Sequence, residues 1–230
     1  MTDVAFTWAG FLRGARIAVP LSVGMIPFGL VAGILAETKG LSLFEAVLMS
    51  ATVFSGTAQL VALESWSDPA PVLAAGLAVF IVNMRMALMG PVLAPWFDRL
   101  RGWRLWLTLG AMVDHGFALS VTEMRSGRND AAYLLGIGAM LWLMWLIQTA
   151  AGHVLGTVVR FPQGHPLYFG ATAAFITLMV PMWRGAQDAL PWIVAGVVGI
   201  AVSQALPGTA WHVVVGAVAG AIVGALRTRA

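Results

Sequence analysis

The chain has 230 residues, 60% of them hydrophobic and 10% charged, with 13 Lys and Arg against 10 Asp and Glu. So few charges cannot cover a water-facing globule, whose charged share is roughly 25%, and a net charge of +3, spread singly and in small groups, is not a nucleic-acid surface. The absence of cysteine excludes disulfides, thiolate metal sites and cysteine nucleophiles.

Several stretches of about 20 residues carry almost no charge, long enough to cross ~30 Å of hydrocarbon at ~1.5 Å per residue. The expected fold is all-α: a polytopic transmembrane helix bundle of seven or eight spans, some of them discontinuous, in one integral membrane domain over 1–230. The opening "MTDVAFTWAGFLRGARIAV" lacks a basic segment followed by an apolar core and a small-residue cleavage site, so it reads as an uncleaved N-terminus.

The first span, 14–36, carries Pro20, Gly24, Pro27, Gly29 and Gly33. Proline removes a backbone donor and crowds the carbonyl four residues back, which predicts a kink or break between Gly24 and Gly29. Backbone groups freed at membrane depth persist where protein or a wet cavity satisfies them, and transporters use such breaks to bind ligands. A packing kink explains the same residues equally well. The second span, 43–64, holds "FSGTAQ": Ser55, Gly56 and Thr57 are small enough for close helix approach, and Gln59 brings an amide that both donates and accepts.

The third span, 71–95, places Asn83 and Arg85 inside "LAVFIVNMRMALMGPVL". A guanidinium near the bilayer centre costs about 2.5–3.5 kcal/mol, so it faces a bundle interior or a wet cavity. Arg85 reads either as a bolt between two helices or as a substrate or ion contact. Asn83 lies about 200° round the helix from it and serves a different face. The fourth span, 105–122, reads "LWLTLGAMVDHGFALSV" with Asp114 and His115 about ten residues in. Asp114 is the economical partner for Arg85 and a candidate proton carrier. His115 is either a second proton-coupling group or a neutral core histidine.

The remaining spans are 133–155, 167–182, 188–206 and 210–226, the last two parted by Pro207 and Gly208. Trp96, Trp103, Trp106, Trp142, Trp145, Trp183, Trp192 and Trp211 fall mostly near span ends, where interfacial anchors belong. With eight spans, Arg13, Arg16, Arg125, Arg128, Arg184, Arg227 and Arg229 gather on one side. Lys39, Arg99, Arg101, Arg104 and Arg160 gather on the other, a slight bias for both termini inside. No nucleophile–base pair, metal-ligand spacing, phosphate loop or selectivity filter is present, so enzyme, ATPase and channel readings fall away, and no cofactor is implied.

"PLSVGMIPFGLVAG", "AVLMSATVFSGTAQLVAL" and "VNMRMALMGPVLAP" resemble, in order, three conserved blocks of the AzlC family, the large subunits of two-component branched-chain amino acid exporters. Chain length, the Asp114 block and "GHVLG" in the fifth span extend the resemblance over most of the chain. It implies proton-driven export of small hydrophobic amino acids across the cytoplasmic (inner) membrane, together with a small AzlD-type membrane subunit. A homo-oligomer stays open. Arg85, Asn83, Gln59, Ser55, Gly56, Thr57, Pro27 and Phe28 would form the substrate site, and Asp114 and His115 the coupling site. His115 stands where the family commonly has an acidic residue, and "PLYFGATAAF" opens the sixth span without the family's Asp. Coupling ion and exact substrate therefore stay open. Two other classes compete: the permease of an ATP-driven transporter, and a non-transporting membrane scaffold.

Overall fold

The computed structural model describes residues 4–64, 66, 72–159, 183, 185–207 and 211–227. The expected sixth span, 167–182, lies outside the described residues. The chain packs as two compact units, Met1–Gly56 with Asn83–Arg160, and Thr57–Val82 with Phe161–Ala230. Among the described residues all regular structure is helical, apart from an isolated bridge between Ala5 and Asp130.

In the first unit, α1 (Trp8–Gly24) and α2 (Ile26–Thr38) meet at a 64° bend at Met25. Pro27 causes it: the ring lacks the N–H that would reach the Val23 carbonyl and crowds that carbonyl instead. As second residue of α2, Pro27 also sits where a missing donor costs nothing. The expected interruption is therefore present, and the Met25 N–H turns back to the Leu21 and Ser22 carbonyls at 3.1 and 3.2 Å.

α3 (Leu43–Val53) starts with a capping box between Ser42 and Glu45. It stops at Phe54, whose φ of +40° is left-handed and rare for a bulky residue. α4 (Gly56–Glu64) follows. α5 (Val72–Met89) straddles the two units and leads through a 3₁₀ turn, Gly90–Leu93, into the short α6 (Ala94–Phe97). Then come α7 (Trp103–Gly110), α8 (Asp114–Arg125) and α9 (Ala132–Val158).

α9 is the axis of this unit, 27 residues long and thus about 40 Å. α1 and α2 run beside it in the same direction: Gly10 faces Asp130, Gly14 the Tyr133 carbonyl, Gly33 the Thr149 carbonyl, and Glu37 lies by Gly156. A side chain at Gly14, Gly33, Gly136 or Gly152 would enter the facing backbone, so the helices touch main chain to main chain. On α1, Gly10, Gly14, Ala18 and Ser22 recur every fourth residue and all are buried. α3 runs the opposite way. Leu41 O at its entrance lies 2.8 Å from His153 Nε2, and Trp142 Nε1 donates to Ala51 O at 3.1 Å.

α7 and α8 begin and end at the same end of α9. Trp103 meets Phe6 edge-on with centroids 5.9 Å apart, and the adjacent Ala5 exchanges backbone bonds with Asn129 and Ala131. Ala111, at the turn, lies against Gly138. Glu123, near the end of α8, returns to Arg13 at 2.8 Å. The stretch expected to cross at 105–122 thus enters and comes back. Its first arm has eight residues, a rise of only about 12 Å.

Leu93, Trp96, Leu134 and Ile137 form the fully buried centre of the core beneath this hairpin. Trp96 Nε1 donates to Asn129 Oδ1 at 3.4 Å. Trp96 and Trp145 are therefore core residues and not interfacial anchors, whereas Trp103 and Trp106 are exposed.

The second unit contains α10 (Ala189–Ala205), entered by a 3₁₀ turn at Ala186–Asp188, and α11 (Trp211–Arg227). They form an antiparallel hairpin seamed by small residues, with Gly216 beside the Ala195 carbonyl and Gly220 beside the Pro191 carbonyl. Arg227 Nη1 ties the open end by donating to Gln187 O at 3.3 Å. Ile193, Val197 and Ile200 point outward and are exposed, as are Val218 and Ile222. Such apolar faces mark contact with lipid or a partner and not with water. Among the described residues, Ala132–Val158 and Ala186–Ala205 are each long and apolar enough to cross a membrane, and the bent α1–α2 pair makes a third.

Candidate functional site

Three helix interruptions face α9, two of them within one turn of each other. At the first, Gln148 Nε2 donates to the Ser22 carbonyl at 2.8 Å, one residue turn before the break at Met25. At the second, Gly56 begins α4 against the rings of Phe28 and Trp145, which lie 5.5 Å apart; a Cβ on Gly56 would come within 2.6 Å of Phe28. The third, between Gly110 and Asp114, meets α9 at Gly138, two to three turns nearer its start. Helix ends interrupt the intrahelical hydrogen-bond ladder, and all three of these interruptions lie against α9.

Buried side-chain atoms without a hydrogen-bond partner sit in the same unit: Asn83 Oδ1, Ser120 Oγ, Gln148 Oε1 and Thr149 Oγ1. Native folds leave few such atoms, and each calls for an explanation. Gln148 is 7% exposed and Thr149 is fully buried.

The sequence-derived candidates fall as follows. Pro27 and Phe28 open α2 at the first interruption, and Phe28 is buried. Ser55 is buried in the gap between α3 and α4, with Gly56 directly after it. Phe28, Gly56 and the gap at Ser55 are brought together; Trp145 joins them. Thr57 and Gln59 belong to the second unit, where Gln59 is fully buried in α4. Asn83 is half-buried on α5. Arg85 is in the helical run of α5, but its side chain lies outside the described residues, and with it the expected pairing to Asp114. Asp114 is the first residue of α8, half-buried, and not at the middle of a continuous helix; His115 follows it, also half-buried. Met25 and Met86 pack against the core cluster.

Gln148 is not singled out in the sequence, and Trp145 reads there only as an interfacial anchor, yet both line the first two interruptions. The signal was available, since a lone amide inside an apolar helix is the same mark that picks out Gln59 in α4.

The family model described as AzlC protein matches residues 20–159, more than half of the chain. The chain belongs to the AzlC family. The branched-chain amino acid transport protein AzlC of Bacillus subtilis (strain 168) is 26% identical over 180 residues, covering 76% of this chain and 69% of that protein. The inner membrane protein YgaZ of Escherichia coli (strain K12) is 26% identical over 227 residues, covering 95% and 89%. An uncharacterized membrane protein of Archaeoglobus fulgidus is 26% identical over 224 residues, covering 95% and 94%. No solved structure matches significantly. The AzlC match opens at Pro20 and closes at Val159, so it takes in all three interruptions and all of α9 and stops before α10. With its apolar helices and membrane relatives, this AzlC-family chain is an integral membrane protein.

Proposed function

We propose that this chain is the large subunit of a secondary transporter that exports branched-chain and other small hydrophobic amino acids across the cytoplasmic membrane. A small AzlD-type membrane subunit completes it, and the proton gradient drives it. The observation that carries this reading is the coincidence of the AzlC match with the interrupted helices around α9. A carrier needs polar groups at membrane depth, and broken helices supply them without exposing backbone to lipid. In this reading Arg85 holds the substrate carboxylate or gates against Asp114. Asn83 and Ser55 add polar contacts, and the side chain rests near Met25, Phe28, Phe54 and Met86. Loss of the Asp114 proton, with His115 beside it, couples the gradient to substrate movement.

We keep the expected seven or eight spans as the working count, less the α7–α8 stretch, which returns to the end of α9 where it began. The chain leaves α2 at the His153 end of α9 and arrives with Trp96 at the Asn129 end. An odd number of crossings must lie between. α5 has 18 residues, about 27 Å and enough for one. α3 and α4, interrupted at Phe54, have 11 and 9 residues.

The test is counterflow of labelled leucine, isoleucine, valine and methionine in liposomes holding this chain with and without the small subunit, under an imposed pH gradient. Gradient-dependent flux supports the proposal. Flux that requires a co-purifying ATPase, or none at all from folded protein, overturns it in favour of the ATP-driven or scaffold reading.

A further inference from the structure

We propose that Gln148 is a substrate-binding residue whose Oε1 accepts a hydrogen bond from the α-ammonium of the bound amino acid, beside the interruption at Met25. This rests on the transport reading above.

Gln148 is 93% buried on α9, by its 7% exposure. Its Nε2 is committed to the Ser22 carbonyl at 2.8 Å. That bond fixes which way the amide faces, because turning it over would set two oxygens against each other. Oε1 is then left buried with no partner. An acceptor stripped of water and left unpaired costs about 1–3 kcal/mol, so its persistence at a helix break points to a donor that arrives with a ligand.

The neighbours narrow the chemistry of that donor. Ser22 is near the C-terminal end of α1, where carbonyls carry the negative pole of the helix. The unpaired Oε1 beside a negative helix end favours a cation with N–H groups over a carboxylate. Gly29 packs directly against this side chain: a Cβ there would stand 2.5 Å from Gln148 Cβ and 2.6 Å from Oε1, so a residue larger than glycine would displace the amide. One turn back along α9, the Trp145 ring lies against Phe28, an apolar wall suited to an aliphatic side chain. An ammonium at Gln148 with a branched side chain against Phe28 and Trp145 is the layout of a small hydrophobic amino acid.

The rival role for Gln148 is purely structural, a brace on the Ser22 carbonyl. Leucine counterflow in liposomes holding the full chain and its small subunit separates the two, with two competitors. Leucinamide keeps the ammonium and lacks the carboxylate; 4-methyl-2-oxopentanoate keeps the carboxylate and lacks the ammonium. Wild type should be inhibited more strongly by leucinamide. Gln148→Leu, which cannot accept, should raise the KM for leucine and weaken leucinamide about tenfold or more, the effect of losing one hydrogen bond to a charged group. Gln148→Glu keeps an acceptor and should retain leucinamide inhibition while losing the Ser22 brace. Wild-type competition in Gln148→Leu overturns the assignment, and so does equal loss in both variants. If Gln148→Leu does not fold, retention or loss of leucinamide inhibition in Gln148→Glu decides. If wild type carries no leucine, the transport reading fails; the Gln148 assignment is then decided by thermal stabilisation of the purified complex by leucinamide, which must appear in wild type and vanish in Gln148→Leu.

Discussion

The α1–α2–α9 stack and the α10–α11 hairpin are both built on small residues, and they use them to different ends. In the hairpin, Gly216 and Gly220 bring two uninterrupted helices together, and the described outer faces are Ile and Val exposed for lipid. In the stack, the same close approach is joined to a proline break, a left-handed Phe54 and buried Gln148 and Thr149. All four buried polar atoms without partners among the described residues belong to the unit that holds the stack. A glycine seam by itself is therefore an architectural device of membrane helices. What marks chemistry is a seam that coincides with a break and with unsatisfied polar atoms.

Breaking that contrast starts with the largest effect. Arg85→Ala should abolish leucine counterflow while the protein still inserts and purifies; normal flux in a folded variant would remove Arg85 from the site. Gly33→Val should come next, because a Cβ there runs into the Thr149 carbonyl and the His153 amide. Overpacking of this kind costs about 1–3 kcal/mol, visible as a lower melting temperature in detergent. Gly24→Ala, with nothing within 4 Å of the added carbon, should leave that temperature nearly unchanged. If the two variants melt alike, the seam is looser than described.

A smaller change is expected from Glu123→Gln. Glu123 is 9% exposed, but its partner Arg13 is 42% exposed and Arg128 Nε stands off at 3.7 Å. Solvent screens such a cluster, so the loss should stay within about 1 kcal/mol, read by chemical or thermal unfolding. The smallest effect belongs to the hairpin. Val197→Ala, at a 61% exposed position, should change stability by less than about 0.5 kcal/mol and leave flux untouched. A transport defect there would show that the hairpin carries function as well as anchorage.

Composition and apolar run length were enough to read a helical membrane protein, because the demand that every backbone group be satisfied in lipid acts on each segment separately. The break at Met25 was equally readable, since the missing N–H of Pro27 is a local fact of one residue. The motifs from Pro20 to Pro95 carried the family for the same reason: they are contiguous in the chain. The breaks at Phe54 and at Ala111–Val113 were not readable. No proline stands in either, and a left-handed phenylalanine is held only by what surrounds it. Nor could spacing reveal that α7 and α8 return to the end they left. That depends on Phe6 meeting Trp103, and Arg13 meeting Glu123, across nearly a hundred residues or more. Gln148 shows the division most clearly. The sequence places an amide in an apolar helix, but only the packed Ser22 carbonyl commits its nitrogen and leaves its oxygen without a partner. Local chemistry is written residue by residue; whether a buried polar atom is satisfied depends on what the fold brings against it.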